Sequence, residues 1–422
     1  MWTRLGLHKH SSKGAKNFKF GLNVVGYFSS ELGMGELGRI VIRAVELSGI
    51  PFSTLTSTRN ESRKSHHHED RHSELRRQIN IFVINADQMV NWKHLPEFRE
   101  IGDFPSVGVW AWELEDFPDE FSQVLDSLQE VWTISEFARK AIQQQTKKPV
   151  HVLPMPITPI NASEIADRNP LSEITRGNPY FLAIFDFQSS MDRKNPLATI
   201  EAFKNAFQEG ENVKLVVKTI NGNLWPKQKE LLLDATLGYE NIHIIDQYLE
   251  RPEVLGLMKN ALAYVSLHRS EGYGLTLAES MELGTPVIAT GYSGNLDFMD
   301  ETNSLLVDYD LIDVSDSTGA YRIKSRWADP RIESAAVHMR RIFGDPAFAG
   351  NLGLAGKGAT RENFHLSSSA EFIQERASAI SRSNSPHTAR RVLRNSRQVL
   401  AKLLPRKLKD FLLRRILRKK EY

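Results

Sequence analysis

Residues 270–286 read SEGYGLTLAESMELGTP and lie between two short apolar runs, AYVSL at 263–267 and VIAT directly after the stretch. Such apolar, partly β-branched runs are typical of buried strands. From about Leu275 the apolar residues recur at helical spacing, and Gly284 followed by Pro286 marks the end of that helix. The stretch therefore predicts a strand, a glycine-rich loop, a short helix and a second strand.

The beginning of this helix is a candidate phosphate site. The first N–H groups of a helix lack partners, and the helix dipole is positive at that end. Two carboxylates, Glu271 and Glu279, frame the loop that contains GYG. Because carboxylates repel phosphate, we expect them to bind sugar hydroxyls on either side of a diphosphate, as in a nucleotide-sugar site. On the spacing alone, a connection with two solvated glutamates is an equally good interpretation.

Within SEGYGLTLAESMELGTPVIATGYSGN, at 270–295, the pair Glu271 and Glu279 resembles the EX7E motif of retaining glycosyltransferases of family four, which have the GT-B fold. The resemblance extends more loosely over residues 18–380. It implies that Glu279 holds the nucleotide ribose and that Glu271 holds the donor sugar hydroxyls. It also implies a backbone site for phosphate or sugar oxygens at Tyr273, Gly274, Leu275 and Thr276.

The composition is that of a globular protein, with 41% apolar and 25% charged residues among 422, a length that suggests two domains. The absence of cysteine excludes disulfides and cysteine nucleophiles and agrees with a reducing cytosol. Residues 1–20 lack the apolar run of a signal peptide. No stretch approaches the roughly 18 consecutive apolar residues of a transmembrane helix. We therefore expect a cytoplasmic protein.

Strand and helix patterns alternate along the chain and predict an α/β protein with two Rossmann-like domains facing a cleft, the GT-B arrangement. We place the acceptor domain at 18–172, after a basic segment at 1–17, and the nucleotide-sugar domain at 173–360. As in the fold that the resemblance implies, a helix at 361–383 is expected to cross back to the first domain. A basic helical tail follows at 384–422.

A glycine-rich segment follows the first predicted strand, at 18–28, and contains Gly33, Gly35 and Gly38 in the spacing GxGxxG. A dinucleotide site would need an acidic residue about 20 residues further on, at the end of the second strand, and none stands there. We expect instead a loop facing the cleft, with a helix from Arg39, in which Gly33 and Gly35 let the backbone approach the donor. A turn that merely requires positive φ is the alternative.

The strand predicted at 105–112 ends in Trp110 and Trp112 and leads into an acidic segment that begins with Glu113. Ligands of open α/β sheets bind at the carboxyl ends of strands, so these residues suggest a rim for sugar stacking and hydrogen bonding. Glu113 is the catalytic candidate of the first domain. Many relatives place a His in a comparable position, and its absence leaves that role open. A core tryptophan beside a solvated acidic loop is the alternative.

Arg193 and Lys194 stand where the strand predicted at 179–187 gives way to a helix. Transferases of the resembled family use an Arg and a Lys here to neutralise the departing diphosphate, which requires cations aimed at the developing charge. The sequence departs from the commoner pattern, a Gly-Arg pair at the strand end with a later Lys, because Asp186 occupies that place. Surface charges at a helix start are the alternative. The next two strands end in further donor-binding candidates: Lys218, Asp246 and Gln247.

Two patterns in the sequence suggest a metal site, but we interpret neither of them as one. The histidines at 66–68 and 72 fit a solvated loop better than a metal site. The DYD at 308–310 spells a metal-diphosphate motif of another glycosyltransferase fold but lacks its setting. The resemblance likewise implies no required metal.

The tail is strongly basic. Residues 390–422 hold 13 Lys or Arg against two acids, a balance of +11, which leaves −8 for the residues before them. Between 389 and 420 apolar and basic residues alternate, and Pro405 divides the segment into two amphipathic helices. Such helices bind anionic membrane surfaces. A solvated arm or a partner helix is the alternative, and we expect no nucleic-acid binding because aromatic residues are not interleaved.

Taken together, these patterns and the resemblance predict a glycosyltransferase that moves a hexose from a nucleoside diphosphate sugar to a hydroxyl of a glycan or lipid-linked acceptor. The resemblance implies that it retains the anomeric configuration. The resemblance favours mannose, with GDP-mannose as donor. Arg193 and Lys194 would stabilise the leaving group, and Glu271 would position the donor sugar. A GT-B epimerase or hydrolase of nucleotide sugars, or a non-catalytic protein that binds glycan or membrane, is the alternative.

Overall fold

The structure, a computed structural model of the chain, describes residues 20–57, 60, 62–64, 66–70, 77–90, 104–166, 177–316, 321 and 324–383. The predicted N-terminal segment at 1–17, the histidine at 72 and the basic tail with its amphipathic region at 389–420 lie outside these residues.

The first domain is built on a parallel six-stranded sheet. Its strands are β1 (Leu22–Gly26), β2 (Phe52–Thr56), β3 (Ile79–Val83), β4 (Ser106–Trp110), β5 (Glu130–Thr133) and β6 (Val150–Val152). They lie in the order β2-β1-β3-β4-β5-β6. Its helices are α1 (Gly33–Ser48), α2 (Ala86–Met89), α3 (Ser122–Ser127) and α4 (Glu136–Gln143). Every residue of β1, β3 and β4 is buried, as expected of a parallel sheet covered on both faces.

The second domain contains another parallel six-stranded sheet. Its strands are β7 (Tyr180–Asp186), β8 (Lys214–Ile220), β9 (Ile242–Asp246), β10 (Ala263–Ser266), β11 (Val287–Thr290) and β12 (Leu305–Val307). Its helices are α5 (Met191–Lys194), α6 (Pro196–Ala206), α7 (Pro226–Asp234), α8 (Arg251–Lys259), α9 (Leu275–Leu283), α10 (Ile332–Gly344) and α11 (Pro346–Asn363). The order β12-β11-β10-β7-β8-β9 reverses direction between β7 and β10. Open α/β sheets bind ligands outside the carboxyl ends of the strands at such a switch point.

The last described helix, α12 (Leu366–Ser383), crosses back to the first domain, as predicted. It packs against α1, and its Ile373 and Ala377 share a buried core with Ile40. At its buried side Arg376 Nη2 lies 2.5 Å from Glu130 Oε2, which ties the helix to β5. Apolar burial and one buried ion pair therefore hold the crossing helix in place.

The first helix begins earlier than predicted, at Gly33 rather than Arg39. Gly35 lies within it, where a Cβ would stand 2.3 Å from the carbonyl oxygen of Ser30. Arg39 turns back and donates through Nη1 to the carbonyl oxygens of Phe28 and Ser30, at 3.0 and 3.1 Å. Gly35 thus serves close packing of a helix start against the preceding loop. The predicted loop is a helix from Gly33, but Gly33 does face the cleft as expected.

The short helices α2 and α3 were not predicted, and neither were two larger elements. One is α7, and the other is an antiparallel hairpin of β13 (Tyr309–Asp313) and β14 (Arg326–Pro330) after the last strand of the second sheet. The DYD motif begins this hairpin, and Asp310 is paired with Arg331 at 2.9 Å.

Ser135 caps the start of α4, because its side chain accepts a hydrogen bond from Ala138 N. In the described part of the chain, no helix has both the length and the apolarity needed to cross a membrane.

Candidate active site

The loops that follow β7 and β10 meet at the switch point of the second sheet and bring three predicted residues together. Lys194 Nζ lies 2.5 Å from Glu271 Oε1, and Arg193 Nη1 lies 3.3 Å from Glu271 Oε2. Glu271 precedes helix α9, so both cations lie beside the helix start that the sequence marked as a phosphate site. The predicted convergence of cations, carboxylate and helix start is thus present.

The backbone around α5 directs Arg193 inward. Ser190 has a positive φ of 61° and its side chain accepts a hydrogen bond from Arg193 N, while Asn195, with φ 51°, ends the turn. The Arg193 guanidinium donates to the carbonyl oxygens of Ser270, at 2.9 Å, and Ser189, at 3.1 Å. The side chain is therefore held by loop carbonyls on both sides as well as by Glu271.

These contacts set the charge of the site. Burial raises the pKa of Glu271, but Lys194 and Arg193 outweigh burial and bring it down to about 2. The pKa of Arg193 is raised, because the lowering by burial is overcome by Tyr321, Glu271 and Glu113. All three side chains are charged at neutral pH, and the cluster of Arg193, Lys194 and Glu271 carries one net positive charge. Such a cluster attracts an anion.

The start of helix α9 is open toward the cleft. Gly274 occupies the N-cap position with φ 96°, and among the described residues no side chain caps this end. The loop before α9 is held in place by the loop that follows β11, because Gly294 N donates to Glu271 O at 2.9 Å. A Cβ on Gly294 would lie 2.2 Å from Gly272 O, so only glycine permits this approach.

A cleft of about 2090 Å³ lies between the two domains. The predicted residues that line it are Gly33, Glu113, Arg193, Lys194, Lys218, Glu271, Tyr273, Gly274, Leu275, Thr276 and Glu279. Most of the predicted site thus faces one cavity shared by both domains.

Three predicted donor-binding residues do not line the cleft. Gly35 packs inside α1, as described above. Asp246 accepts hydrogen bonds from Lys229 Nζ at 2.7 Å and from Gly222 N at 3.2 Å, and Gln247 is not among the residues that line the cavity. Their neighbours Tyr248, Leu249 and Glu250 line the cleft instead.

Lys218 is buried at the carboxyl end of β8 and lines the cleft. Its Nζ donates to Thr219 O at 3.2 Å. Burial lowers the pKa of Lys218 to about 8, against the opposing charges of Asp246 and Asp186. Its charge is therefore sensitive to pH near the physiological range.

Arg251 was not identified from the sequence. It begins helix α8, and its Nη2 lies 2.7 Å from Glu279 Oε1 at the wall of the cleft. The feature of the sequence that could have pointed to Arg251 is its position at the start of a helix, directly after the segment at 246–250 where β9 ends. Which helix it faces depends on the tertiary packing of α8 beside α9.

The two tryptophans of the first domain have different roles. Trp110 is fully buried and its indole N–H points to Met89 Sδ at 3.3 Å, so its assignment to a sugar-binding rim was wrong. Trp112 and Glu113 line the cleft as expected. Two further acids of this segment contact the hairpin: Asp116 accepts from Ser325 Oγ at 2.9 Å, and Glu115 lies 3.4 Å from Arg326 Nη2.

Within the described ranges, no group of three or more His, Asp or Glu side chains is arranged to hold a metal ion. Of the histidines at 66–68, His66 lines the cleft and His68 contacts Asp70 at 3.4 Å.

Comparison with known proteins agrees with this geometry. Residues 187–313 match the model of the family described as glycosyl transferases group 1. No curated protein matches the chain in sequence.

Several solved structures share the fold at low sequence identity. Sucrose-phosphate synthase from Thermosynechococcus elongatus has a TM-score of 0.63 and 15% identity, and the match covers 87% of this chain and 100% of that one. HepE from Anabaena, in complex with UDP and glucose, has a TM-score of 0.58 and 14% identity, with 86% and 100% covered. A trehalose-6-phosphate structure from E. coli bound with UDP-2-fluoro glucose has a TM-score of 0.58 and 11% identity, with 84% and 98% covered.

The matched family segment begins directly after β7 and contains Arg193, Lys194, Glu271 and Glu279. The chain thus has a two-domain GT-B fold, and one segment of its second domain matches the glycosyl transferases group 1 model.

Proposed function

We propose that the protein is a retaining glycosyltransferase that transfers a hexose from a nucleoside diphosphate sugar to a hydroxyl of a glycan or lipid-linked acceptor. The observation that carries this proposal is the meeting of Arg193, Lys194 and Glu271 beside the open start of helix α9. A net positive cluster next to unpaired N–H groups suits a diphosphate. The neighbouring carboxylates suit sugar hydroxyls.

In the proposed reaction the bond between the anomeric carbon and the diphosphate oxygen breaks, and negative charge develops on the diphosphate. Lys194, Arg193 and the first N–H groups of α9 stabilise that charge, which lowers the barrier to departure. The acceptor hydroxyl attacks the oxocarbenium-like carbon from the same face, and its proton passes to the departing phosphate oxygen. Because both oxygens of Glu271 are held by cations, this carboxylate is suited to orient the sugar rather than to attack it.

Glu279 and Arg251 form the ribose side of the proposed site. Their ion pair lies on the cleft wall about one turn into helix α9. A carboxylate there accepts hydrogen bonds from two vicinal hydroxyls, and the ion pair with Arg251 orients it. Tyr248 and Leu249, which line the cleft nearby, are the residues we assign to the base.

GDP-mannose is the donor we propose, on the resemblance of the central motif. The similar HepE structure is a complex with UDP and glucose, so UDP-glucose is the second donor to test.

We also propose a cytoplasmic protein that associates peripherally with an anionic membrane through residues 389–420. The basis is the alternation of apolar and basic residues in that segment. Flotation of the full-length protein with anionic and with neutral vesicles tests this, and equal binding to both would contradict it.

Incubation of the purified protein with a panel of nucleotide sugars and glycoside acceptors tests the transferase proposal. We expect transfer with an unchanged anomeric configuration in the product, read by NMR. Glu279→Ala should abolish most turnover while the thermal unfolding profile survives. Hydrolysis without transfer would favour the hydrolase or epimerase alternative, and no thermal shift with any nucleotide would favour a non-catalytic binding protein.

A further inference from the structure

The connection between β13 and β14 links the second domain to the first across the cleft. At its end Ser325 donates to Asp116 of the first domain at 2.9 Å. At its beginning Asp316 accepts a hydrogen bond at 2.8 Å from the hydroxyl of Ser190, which caps the turn carrying Arg193. The connection is therefore anchored both to the acceptor domain and to the leaving-group cations.

Tyr321 lies in this connection and lines the cleft. Its backbone N–H donates to Asp316 Oδ2 at 3.1 Å. Its ring meets Trp112 of the first domain and Trp327 of β14 edge to face, with centroid distances of 6.3 and 6.4 Å. These contacts fix a half-buried ring between the two domains, at the wall of the proposed active site.

The hydroxyl of Tyr321 lies within electrostatic reach of both sides of the cleft. Burial raises the pKa of Tyr321, Arg193 opposes this, and Glu113 and Glu271 add to it, so the phenol is neutral and able to donate at neutral pH. The half-buried Glu113 carboxylate lines the same cavity and accepts no hydrogen bond from the described part of the chain. A phenol donor and a free carboxylate thus face one cavity.

We propose that Tyr321 positions the acceptor sugar. Glu113 accepts a hydrogen bond from a hydroxyl next to the attacking one, and the Tyr321 hydroxyl donates to another oxygen of the same sugar, whose apolar face packs on Trp112. The acceptor class is therefore a sugar ring with neighbouring free hydroxyls. This inference rests on the proposed function and adds to its acceptor site a residue of the second domain.

The test uses Tyr321→Phe, which keeps the ring and its two tryptophan contacts and removes only the hydroxyl. Tyr309→Phe is the matched control, since it makes the same change on the same hairpin at a ring that contacts Tyr292 and does not line the cleft. Transfer from the donor found by the panel to octyl glycosides is measured over a range of acceptor concentrations. Acceptor-free hydrolysis and calorimetric affinity for the donor are measured in parallel.

For Tyr321→Phe we expect kcat/KM for the acceptor to fall at least about tenfold, as for the loss of a hydrogen bond made at the reacting sugar. Donor affinity and acceptor-free hydrolysis should change less than about twofold, because the donor site is intact. An unchanged acceptor kcat/KM would overturn the inference, as would an equal loss in acceptor-free hydrolysis or in Tyr309→Phe. No transfer by the wild-type protein would refute the proposed function and this inference with it, whereas an active wild type with an equally active Tyr321→Phe refutes the inference alone.

Discussion

Replacement of Glu271 by glutamine removes the negative charge between the buried Arg193 and the partly exposed Lys194 and leaves the shape of the side chain. Glu271 is 7% exposed and Arg193 is 5% exposed. The carboxylate lies 2.5 Å from Lys194 and 3.3 Å from Arg193. In the variant the two cations would face each other without a counter-charge, so we expect the free energy of unfolding to fall.

The magnitude follows from the burial of the three side chains. Removal of one partner of a buried ion pair costs roughly 3–5 kcal/mol. The Lys194 side chain is 20% exposed, so water screens part of its charge. We therefore expect the lower end, about 3 kcal/mol, and a fall in Tm of roughly 6–12 °C.

Urea and thermal unfolding of the full-length variant measure this loss. Glu211→Gln is the matched control, because Glu211 is paired with Arg340 at 2.6 Å but the two side chains are 29% and 46% exposed. An exposed pair contributes little to stability, because water screens both charges. A loss in Glu271→Gln no larger than that of the control would refute the reasoning.

The pH dependence of this loss has a defined sign. Glu271 has its pKa lowered from 4.5 to about 2, so its contribution is present above pH 4.5 and is lost as pH falls toward 2. The difference in stability between wild type and variant should therefore persist at pH 5 and shrink below 4.5. Added nucleoside diphosphate should recover more stability in the variant than in the wild type, because its phosphates replace the missing charge.

Three further predictions follow from single side chains. Lys194→Ala should lose most transfer turnover with the fold intact by circular dichroism, because the departing diphosphate loses a cation; near-normal turnover would contradict the assignment. Donor affinity of the wild type, measured by calorimetry, should fall as pH rises through about 8, because burial lowers the pKa of Lys218 to that value and the neutral amine no longer attracts diphosphate; the same slope in Lys218→Met would refute this. Arg376→Met leaves Glu130, 2% exposed, without its cation and should cost about 3 kcal/mol in urea unfolding, whereas Arg331→Met, at an exposed pair that water screens, should cost much less; equal losses would show that burial of the pair is not decisive.

Much of the fold could be predicted because the buried strands are short apolar runs, which can be recognised in the sequence without knowledge of tertiary contacts. The strands β7 and β10 and the helix between Leu275 and Gly284 appear close to their predicted places. The boundary of α1 could not be predicted, because glycines at 33–38 are unfavourable in a helix and are tolerated only where Gly35 packs on Ser30. The hairpin of β13 and β14 was missed because its first strand is largely exposed and therefore lacks an apolar run.

The candidate site likewise contains residues that could be identified from the sequence and residues that could not. Glu271 and Glu279 could be identified because the loop and helix between them are local in sequence. The exclusion of Trp110 could not, because only the packed structure shows that β4 ends at Trp110 within the core, whereas Trp112 lies beyond the strand end at the cleft. Arg251 was missed because the sequence at the start of a helix does not indicate which other helix its side chains will contact.

The sequence by itself determined the strand, loop, helix and strand at 263–290, because apolar period, glycine and proline act over a few residues. Only the tertiary structure decided that Lys194 meets Glu271 across 77 residues of chain, and that Tyr321 reaches the same cleft from a late hairpin. The physical reason is that strand order is a long-range choice. The placement of β10 beside β7, rather than beside its predecessor in sequence, is what brings the two loops together.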